Sequence, residues 1–354
     1  MFERPSRRML GSLALVSPGS PLRDGIDRIL QADTGGLIVL GDDPSVEAIV
    51  SGGFLIDAEL TPQRLSELSK MDGAIVLDDL GRNIIRANVH LVPDAVHVTN
   101  ETGTRHRTAE RVARQTGATV ISVSKRMSQI SIYCGDEHRI LQPVTRVLAR
   151  ANQAAGTLER YRGRFDAVAT SLSALEVEDL ITARDVLLVL QRGEMVRRIS
   201  EEADILLAEL GTEGRLLKLQ VDELSQGVDT ELGLVIRDYC VGSVRSTEFA
   251  IDLLCNIPTE ELADLYSITP VLGISPSSID SGLTPRGYRF MSRIPRLGGE
   301  MVTRIVGQFD SLQKILNASL GELEHIDGVG EARAVQIKEG LARLAESSIL
   351  DRYS

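Results

Sequence analysis

The sequence predicts an α/β N-terminal domain, an all-α middle region and a C-terminal region of short helices joined by tight turns. Three observations support this: short apolar runs early in the chain, apolar spacings of three and four through the middle, and closely spaced glycines near the end. We therefore expect domains at residues 1–145, 146–285 and 286–354. A chain of 354 residues suits two or three domains, and its 43% of apolar residues can build their cores.

Strand signals occur throughout the first 145 residues. GGLIVLG (35–41) and GAIVLD (73–78) are short apolar runs bounded by glycine or aspartate, which predicts buried strands. ATVISVS (118–124) and QISIYCG (129–135) flank the polar stretch KRMS, which predicts a later strand pair.

Helix signals alternate with these strands, at residues 21–30, 61–70 and 107–116. In the second of them, Thr61 suits the N-cap and Pro62 suits the first helical position. Strands and helices in this order predict a mixed sheet flanked by helices.

The middle region predicts long helices. Apolar residues recur every three or four positions from residue 148 to residue 175, which predicts one long helix. Thr182 is the predicted N-cap of a second long helix, and RLLKLQVDELSQ (215–226) predicts a third. No glycine-rich or His/Cys cluster points to chemistry here, so we expect a helical spine or an assembly surface.

The charge is unevenly distributed. The whole chain has a net charge of −11, which argues against a generally basic nucleic-acid binder. Residues 151–285 carry 11 basic and 23 acidic side chains, whereas residues 1–150 carry 18 of each and residues 286–354 carry 10 and 9. The two end regions can therefore bind anions despite the acidic average.

The cysteines and the lack of long apolar runs predict a cytoplasmic protein. Cys134, Cys240 and Cys255 form no CxxC motif and cannot all pair, which is typical of a reducing compartment. No apolar run approaches the roughly 20 residues of a membrane span, so no membrane partner is expected.

Asp72 and Gly73 form the first candidate site. Asp72 lies just before a predicted strand, where its carboxylate can face solvent and a cation, and Gly73 permits the close approach of a ligand. Taken alone, Asp72 equally fits a turn or a capping residue.

Two cationic clusters accompany Asp72. Arg105, His106 and Arg107 lie at the start of a predicted helix between two threonines, and Ser124, Lys125 and Arg126 follow a predicted strand. Guanidinium groups, helix-start amides and a carboxylate-held metal are the groups that bind a polyphosphate. The Arg-His-Arg triplet alone would also fit a solvated helix start, but the three clusters together indicate a nucleotide site.

A glycine turn near the C-terminus resembles the helix–hairpin–helix DNA-binding motif. In LEHIDGVGEARAVQIKEGL (323–341), the apolar Ile326 precedes Gly328 and Gly330, whose backbone can approach a phosphate closely. Thirty-two residues earlier, IPRLGG repeats this frame, with Arg296 in place of the first glycine. A helical protein–protein module is the alternative, and the near-neutral charge predicts weak, salt-sensitive DNA binding. The candidate DNA-binding residues are Gly328, Gly330, Arg333 and Lys338.

Two short motifs carry a further resemblance. Asp72-Gly73-Ala74 and Arg105-His106-Arg107 resemble the DGA and RHR motifs of diadenylate cyclase domains. The order of cyclase-like domain, helical spine and helix–hairpin–helix is similar to that of the bacterial DNA integrity scanning family. The resemblance covers essentially the whole chain and departs from the family pattern at Arg296.

This resemblance implies a reaction and its partners. The family condenses two ATP molecules into cyclic di-AMP and two pyrophosphates, and each 3′-hydroxyl attacks the α-phosphate of the other ATP. Two cyclase domains would meet face to face in a homo-oligomer, each with one ATP. Branched or duplex DNA would regulate the cyclase through the spine. By binding DNA, the protein would also associate with the nucleoid.

The resemblance also implies roles for individual residues. Asp72 would bind Mg²⁺ or Mn²⁺ and help to activate the attacking hydroxyl, and Arg105, His106 and Arg107 would hold and polarise the triphosphate. The backbone at Leu91 would meet the adenine edge. The expected nucleotide and phosphate contacts are Gly73, Leu91, Thr104, Thr108, Ser124 and Arg126.

Two other functions remain open from the sequence. A non-enzymatic DNA-binding scaffold could use the N-terminal domain only to sense a nucleotide. A hydrolase of nucleotide polyphosphates could use similar arginines and would release AMP or ADP rather than a cyclic product.

Overall fold

A computed structural model describes residues 5–125, 127–240 and 247–353, with only the backbone described for 351–353. Within these residues the N-terminal region forms a mixed eight-stranded sheet of order β2-β5-β4-β1-β6-β7-β8, and β3 also pairs with β5. Only β1 and β4 pair in parallel among the described strands. The strands are β1 Gly36–Leu40, β2 Val50–Ser51, β3 Phe54–Glu59, β4 Ala74–Leu77, β5 Asn83–Leu91, β6 Thr119–Ser124, β7 Gln129–Cys134 and β8 Glu137–Ile140.

Helices cover both faces of this sheet. They are α1 Arg7–Leu15, α2 Pro21–Gln31, α3 Pro44–Glu47, α4 Pro62–Leu68 and α5 Thr104–Thr116. The predicted cap of α4 is confirmed, because the Thr61 side chain accepts a hydrogen bond from the backbone N–H of Arg64. The predicted mixed sheet flanked by helices is therefore confirmed.

Strands β1 and β4 are apolar throughout because both of their faces are buried. Ile38 and Ile75 belong to the core cluster that also contains Ile26 of α2 and Leu65 of α4. Their strand neighbours, such as Val39, point to the opposite cluster, which includes side chains of α5. A strand buried on both faces loses the alternation of polar and apolar residues, which explains the continuous runs in the sequence.

The middle of the chain is helical, as predicted. Its helices are α6 Val144–Glu178, α7 Ala183–Leu210, α8 Arg215–Ser225, α9 Val228–Tyr239, α10 Thr247–Asn256 and α11 Thr269–Leu272. Thr182 directly precedes α7, but its hydroxyl and its backbone N–H both donate to the Asp185 carboxylate. Thr182 therefore occupies the predicted N-cap position, but its hydroxyl bonds to a side chain and not to a backbone N–H of the helix.

The C-terminal region consists of α12 Tyr288–Met291, α13 Gly299–Phe309, α14 Leu312–Asn317, α15 Leu320–Glu324 and α16 Glu331–Tyr353. These helices share one apolar core, which contains Phe290, Ile294, Ile305, Ile326 and Ile337. By its contacts the chain divides into two compact units, residues 1–154 with 202–220, and residues 155–201 with 221–354.

A buried charge cluster holds the second unit together. The Arg289 side chain is 1% exposed, and its Nη1 donates to Glu176 Oε2 at 2.6 Å. Its Nη2 donates to the carbonyl of Ala169 at 2.6 Å, and its Nε donates to Glu231. One guanidinium thereby connects α6, α9 and α12, and its charge is met by two carboxylates.

Asp238 completes this cluster. Its carboxylate accepts the backbone N–H groups of Gly287, Tyr288 and Arg289 at 2.6–2.8 Å. Burial, and then the neighbouring Glu176 carboxylate, raises the pKa of Asp238 to about 7, against the three N–H donors, which lower it. The start of α12 is therefore fixed to the end of α9 by hydrogen bonds to one side chain.

We predict that Arg289→Ala lowers the free energy of unfolding by about 3–5 kcal/mol, because it leaves the buried Glu176 without its cation. Urea unfolding followed by circular dichroism measures the change. Arg343→Ala is the matched control, since this arginine lies exposed on α16 and should change stability by less than about 0.5 kcal/mol. Equal stability of the two variants would contradict a structural role for the cluster.

Candidate functional site

A cavity of about 310 Å³ lies where the start of β4, the end of β5 and the start of α5 meet. Because β4 and β5 are antiparallel, the start of one strand and the end of the other lie at the same edge of the sheet. The cavity is lined by Leu37, Asp72, Gly73, Ala74, Val89, His90, Leu91, Thr104, Arg105 and Thr108. Six of the residues predicted from the sequence therefore lie in one place.

Gly73 fixes the backbone at this edge. Its φ is +113°, and a Cβ there would lie 2.9 Å from the carbonyl carbon of Asn88 and from the carbonyl oxygen of Val89. We expected the glycine to admit a ligand, but the group that approaches most closely is the backbone of β5. Asn88 is itself left-handed, at φ 55°, and the β4–β5 register shifts beside it.

Asp72 offers a carboxylate to the cavity. Its side chain is exposed, and it makes no ion pair or hydrogen bond with the described part of the chain. No group of three or more His, Cys, Asp or Glu side chains there could hold a metal alone. A single exposed carboxylate suits Mg²⁺ or Mn²⁺, since Mg²⁺ commonly takes one or two protein carboxylates and completes its shell with phosphates and water.

A second cavity, of about 500 Å³, lies on the other side of Arg105. Thr104 and Arg105 line both cavities, and a Cβ at Gly35 would lie 2.0 Å from Arg105 Nη1. Gly35 therefore lets the guanidinium lie against the start of β1, a role that we did not foresee. The second cavity is lined by Asp33, Gly103, Thr104, Arg105, His106, Val123, Ser124 and Lys125.

The arginine triplet is divided between different surroundings. Successive residues of an α-helix point about 100° apart, so Thr104, Arg105 and Thr108 share one flank of α5. Arg107 is exposed on another flank and lines neither of these two cavities. Arg126 lies outside the described residues, so its predicted phosphate contact has no structural description.

His106 is 8% exposed and lines the second cavity beside Arg105. Its ring meets the Tyr133 ring edge-on, with 6.4 Å between centroids. Tyr133 stacks on His138 at 4.4 Å and donates its hydroxyl to Glu101 at 2.9 Å. Burial and the Glu101 carboxylate raise the pKa of Tyr133, so the phenol keeps its proton as a donor. This layer supports the start of α5 from within.

His90 is a cavity residue that sequence reasoning missed. Its side chain is exposed on β5 between two buried neighbours, and it lines the same cavity as Asp72. The alternation of apolar and polar residues in Val89-His90-Leu91, at the end of β5, was the signal available in the sequence.

The C-terminal glycine turn has the predicted backbone. Gly328 is left-handed at φ 85°, and a Cβ at Gly330 would meet nothing within 4 Å, so this side of the turn is open. Arg333 remains at the turn, where its Nη1 donates to the carbonyl of Gly328 at 2.6 Å. Lys338 is half-buried and donates to the carbonyl of Leu316 at 2.9 Å, away from the turn.

The turn of the first hairpin, IPRLGG (294–299), keeps the conformation of the second turn despite its different sequence. Arg296 has φ 65°, so it takes the left-handed conformation of Gly328. The two repeats also bond reciprocally: Arg304 Nη1 donates to the carbonyl of Asp327 at 3.2 Å, and Gln336 Nε2 donates to the carbonyl of Pro295 at 2.8 Å. Both bonds join positions related by the 32-residue repeat.

These features define a class: an α/β domain with a cavity lined by Asp72 and Arg105, a helical middle and a tandem helix–hairpin–helix. Family models agree with each part. "DisA bacterial checkpoint controller nucleotide-binding" matches residues 23–138, "DisA bacterial checkpoint controller linker region" matches 141–280, and "SAM-like Helix-hairpin-helix tandem" matches 288–343. The chain belongs to the DNA integrity scanning (DisA) family.

Similar proteins span nearly the whole chain. The DNA integrity scanning protein DisA of Streptomyces avermitilis is 51% identical over 98% of this chain and 94% of its own length. That of Parafrankia sp. is 53% identical, over 97% and 96%. A solved structure of DacA from Staphylococcus aureus is 21% identical, covers 37% of this chain and 85% of its own, and has a TM-score of 0.29. No helix among the described residues is long and apolar enough to cross a membrane.

Proposed function

We propose that this protein is a diadenylate cyclase that condenses two ATP molecules into cyclic di-AMP and two pyrophosphates, and that its C-terminal domain binds DNA. The observation that carries the proposal is one cavity that collects Asp72, Arg105 and the free amides at the start of α5. Membership of the DisA family and the match to its nucleotide-binding model support the same conclusion.

The start of α5 would bind the triphosphate. Gly103 caps this helix without a side-chain hydrogen bond, so the first amides remain available for phosphate oxygens. Arg105 adds two donors in a fixed geometry, and the hydroxyls of Thr104 and Thr108 lie on the same flank. Leu91 ends β5 and lines the same cavity, where its backbone would meet the adenine edge.

Asp72 would hold the divalent cation and orient the attacking 3′-hydroxyl. When bound, Mg²⁺ or Mn²⁺ lowers the pKa of that hydroxyl and neutralises phosphate charge. Arg105 would stabilise the charge that develops on the phosphate oxygens, while the protein fixes the positions of both reactants. No covalent intermediate with the protein is required.

Two copies of the domain would have to meet for the reaction. A cavity of about 310 Å³ lies at the lower end of the range for ligand sites and suits one nucleotide, whereas the product contains two. The segment that follows β5 exposes Val92, Val96 and Val98 by 56%, 71% and 73%, which is an apolar surface suited to a partner. We therefore propose a face-to-face pair, each copy with one ATP.

The tandem hairpins would bind the phosphates of duplex or branched DNA. The open backbone at Gly330 allows close approach, and Arg333 lies beside it. DNA bound there would regulate the cyclase through the helical middle.

We predict that Asp72→Asn lowers the rate of cyclic di-AMP synthesis about a hundredfold or more, because the carboxylate that would hold the cation is lost. The fold should stay intact, since Asp72 is exposed. Purified protein is incubated with ATP and Mn²⁺, with and without branched DNA, and products are identified by mass. Asp57→Asn, an exposed aspartate on β3, is the control. Linear AMP or ADP from the wild type would select a hydrolase, and no product would select a nucleotide-sensing scaffold.

Arg105 and Arg107 should differ in their effect on ATP binding. We expect Arg105→Ala to weaken binding of a non-reactive ATP analogue about tenfold or more, because a charged hydrogen bond to phosphate is lost. We expect Arg107→Ala to change it by less than about threefold, since Arg107 lines neither cavity. Calorimetry measures both constants, and equal losses would contradict the separation of the two side chains.

Gly330→Leu should weaken DNA binding about tenfold without destabilising the fold, because the new side chain occupies open space where a phosphate would approach. Gel-shift titration at several salt concentrations gives the affinity, and thermal unfolding gives the stability. Gly307→Leu on α13 also points into open space and serves as the control. Unchanged affinity in Gly330→Leu would favour a protein–protein role for the hairpins.

A further inference from the structure

The two C-terminal hairpins carry opposite charge, although their backbones match. Residues 286–304, around the first turn, contain five basic side chains and one acidic side chain. The segment 32 residues later, 318–336, contains one basic and four acidic side chains, and all four acidic ones are exposed. The complete glycine motif and the positive charge are therefore found on different hairpins.

Three of the five basic side chains at the first hairpin face a carboxylate, namely Arg289, Arg293 and Arg304. Arg286 and Arg296 are exposed, and neither forms an ion pair within the described part of the chain. Two solvated guanidinium groups therefore lie at this hairpin, one before α12 and one after it.

A third arginine reaches the first hairpin from the helical middle. Arg237, in the last turn of α9, lies over the Tyr288 ring, with 4.0 Å between the guanidinium carbon and the ring centroid. Its Nη2 donates to Thr303 Oγ1 at 3.3 Å, and that hydroxyl donates to the carbonyl of Gly299 at 2.9 Å. Because Thr303 lies one turn after Gly299, the guanidinium is held within about one turn of the start of α13.

Arg286 continues this surface along the end of α9. Its Nη1 and Nη2 donate to the carbonyls of Arg237 and Cys240, at 3.4 Å and 3.1 Å. We name Arg237, Arg286 and Arg296 the arginine surface. The acidic residue of the first segment, Glu300, is exposed in the first turn of α13 and pairs with none of the three among the residues that the structure describes. The charge of this surface is thus available to a ligand.

The hairpin beside the arginine surface is open. A Cβ at Gly298 or Gly299 would meet nothing within 4 Å, and α13 begins at Gly298 without a side-chain cap. A ligand that approaches this turn would therefore also meet the arginines. Guanidinium groups spread over a surface suit a polyanion with regularly spaced charges, and each DNA strand carries one phosphate per about 3.4 Å of helix axis.

We propose that DNA phosphates lie along the arginine surface, from the first hairpin onto α9, and that Arg237 is one of the phosphate contacts. This inference rests on the DNA binding proposed above and adds to it a residue outside the hairpins. The second hairpin would approach DNA mainly through its glycine backbone, because its exposed carboxylates repel phosphate.

The salt dependence of binding measures the contact of Arg237. Full-length protein is titrated against a fluorescently labelled DNA duplex at several salt concentrations, and binding is followed by anisotropy. We expect Arg237→Ala to reduce the slope of log affinity against log salt by about 0.9, the value for one phosphate, and Arg237→Lys to keep the slope, since it keeps the charge. Arg343→Ala, exposed on α16, is the matched control and should leave the slope unchanged.

Arg296→Gly separates the effect of charge from that of the glycine motif. The substitution restores the missing glycine at a residue that is already left-handed, so the temperature of unfolding should not fall. We nevertheless expect it to weaken DNA binding about threefold or more at low salt, because one guanidinium is lost. Equal or tighter binding by this variant would show that the motif and not the charge determines affinity, and would contradict the proposal.

The same titrations separate this inference from the function on which it rests. A wild-type chain with no affinity for the duplex contradicts the DNA binding proposed above, and this inference with it. A wild-type chain that binds DNA and loses affinity in Gly330→Leu, while Arg237→Ala and Arg296→Gly keep the wild-type slope, overturns this inference alone. The arginine surface would then be left to an acidic protein partner.

Discussion

The candidate active site depends on one close backbone contact, between Gly73 at the start of β4 and the neighbouring residues of β5. A side chain at Gly73 would overlap the backbone at Asn88 and Val89, so only glycine lets the two strands approach here. That contact fixes the direction in which Asp72 leaves the sheet and brings it to the same cavity as Leu91. The Asp72 carboxylate is thus positioned by backbone packing, which leaves its oxygens available for a ligand.

The sequence predicted the sheet where both faces are buried and missed it elsewhere. β1 and β4 are continuous apolar runs, and β6 and β7 interrupt theirs with one buried serine each, whereas β3 exposes Phe54 and Leu55, and the long β5 mixes buried and exposed residues. The side of α5 on which Arg107 lies could not be predicted either. Three adjacent residues of a helix spread over more than half of its circumference, so Arg105 and Arg107 point in different directions. His106, Ala109, Val112 and Ala113 define the buried side of α5, and they decide which arginine reaches the cavity.

The acidic middle of the chain contains carboxylates that do not face solvent. Glu176, Glu194 and Asp238 are almost fully buried. Glu194 binds Arg197 and Arg198, as Glu176 binds Arg289. Buried carboxylates need such partners, so part of the acidity serves internal packing. Net charge over a window cannot separate paired interior charges from solvated ones.

The two C-terminal hairpins show that backbone conformation can persist where its sequence signature is lost. A left-handed arginine costs about 1 kcal/mol or more relative to glycine, so Arg296 needs support from its surroundings. The reciprocal bonds of Arg304 and Gln336 to the opposite hairpin supply that support, because each fixes a carbonyl beside a left-handed residue. The hairpins are consequently held as a pair, and a phosphate bound at Gly330 would meet a domain in which the first turn is already formed. The departure at Arg296 therefore changes the chemistry of that turn, by adding a guanidinium, and not its shape.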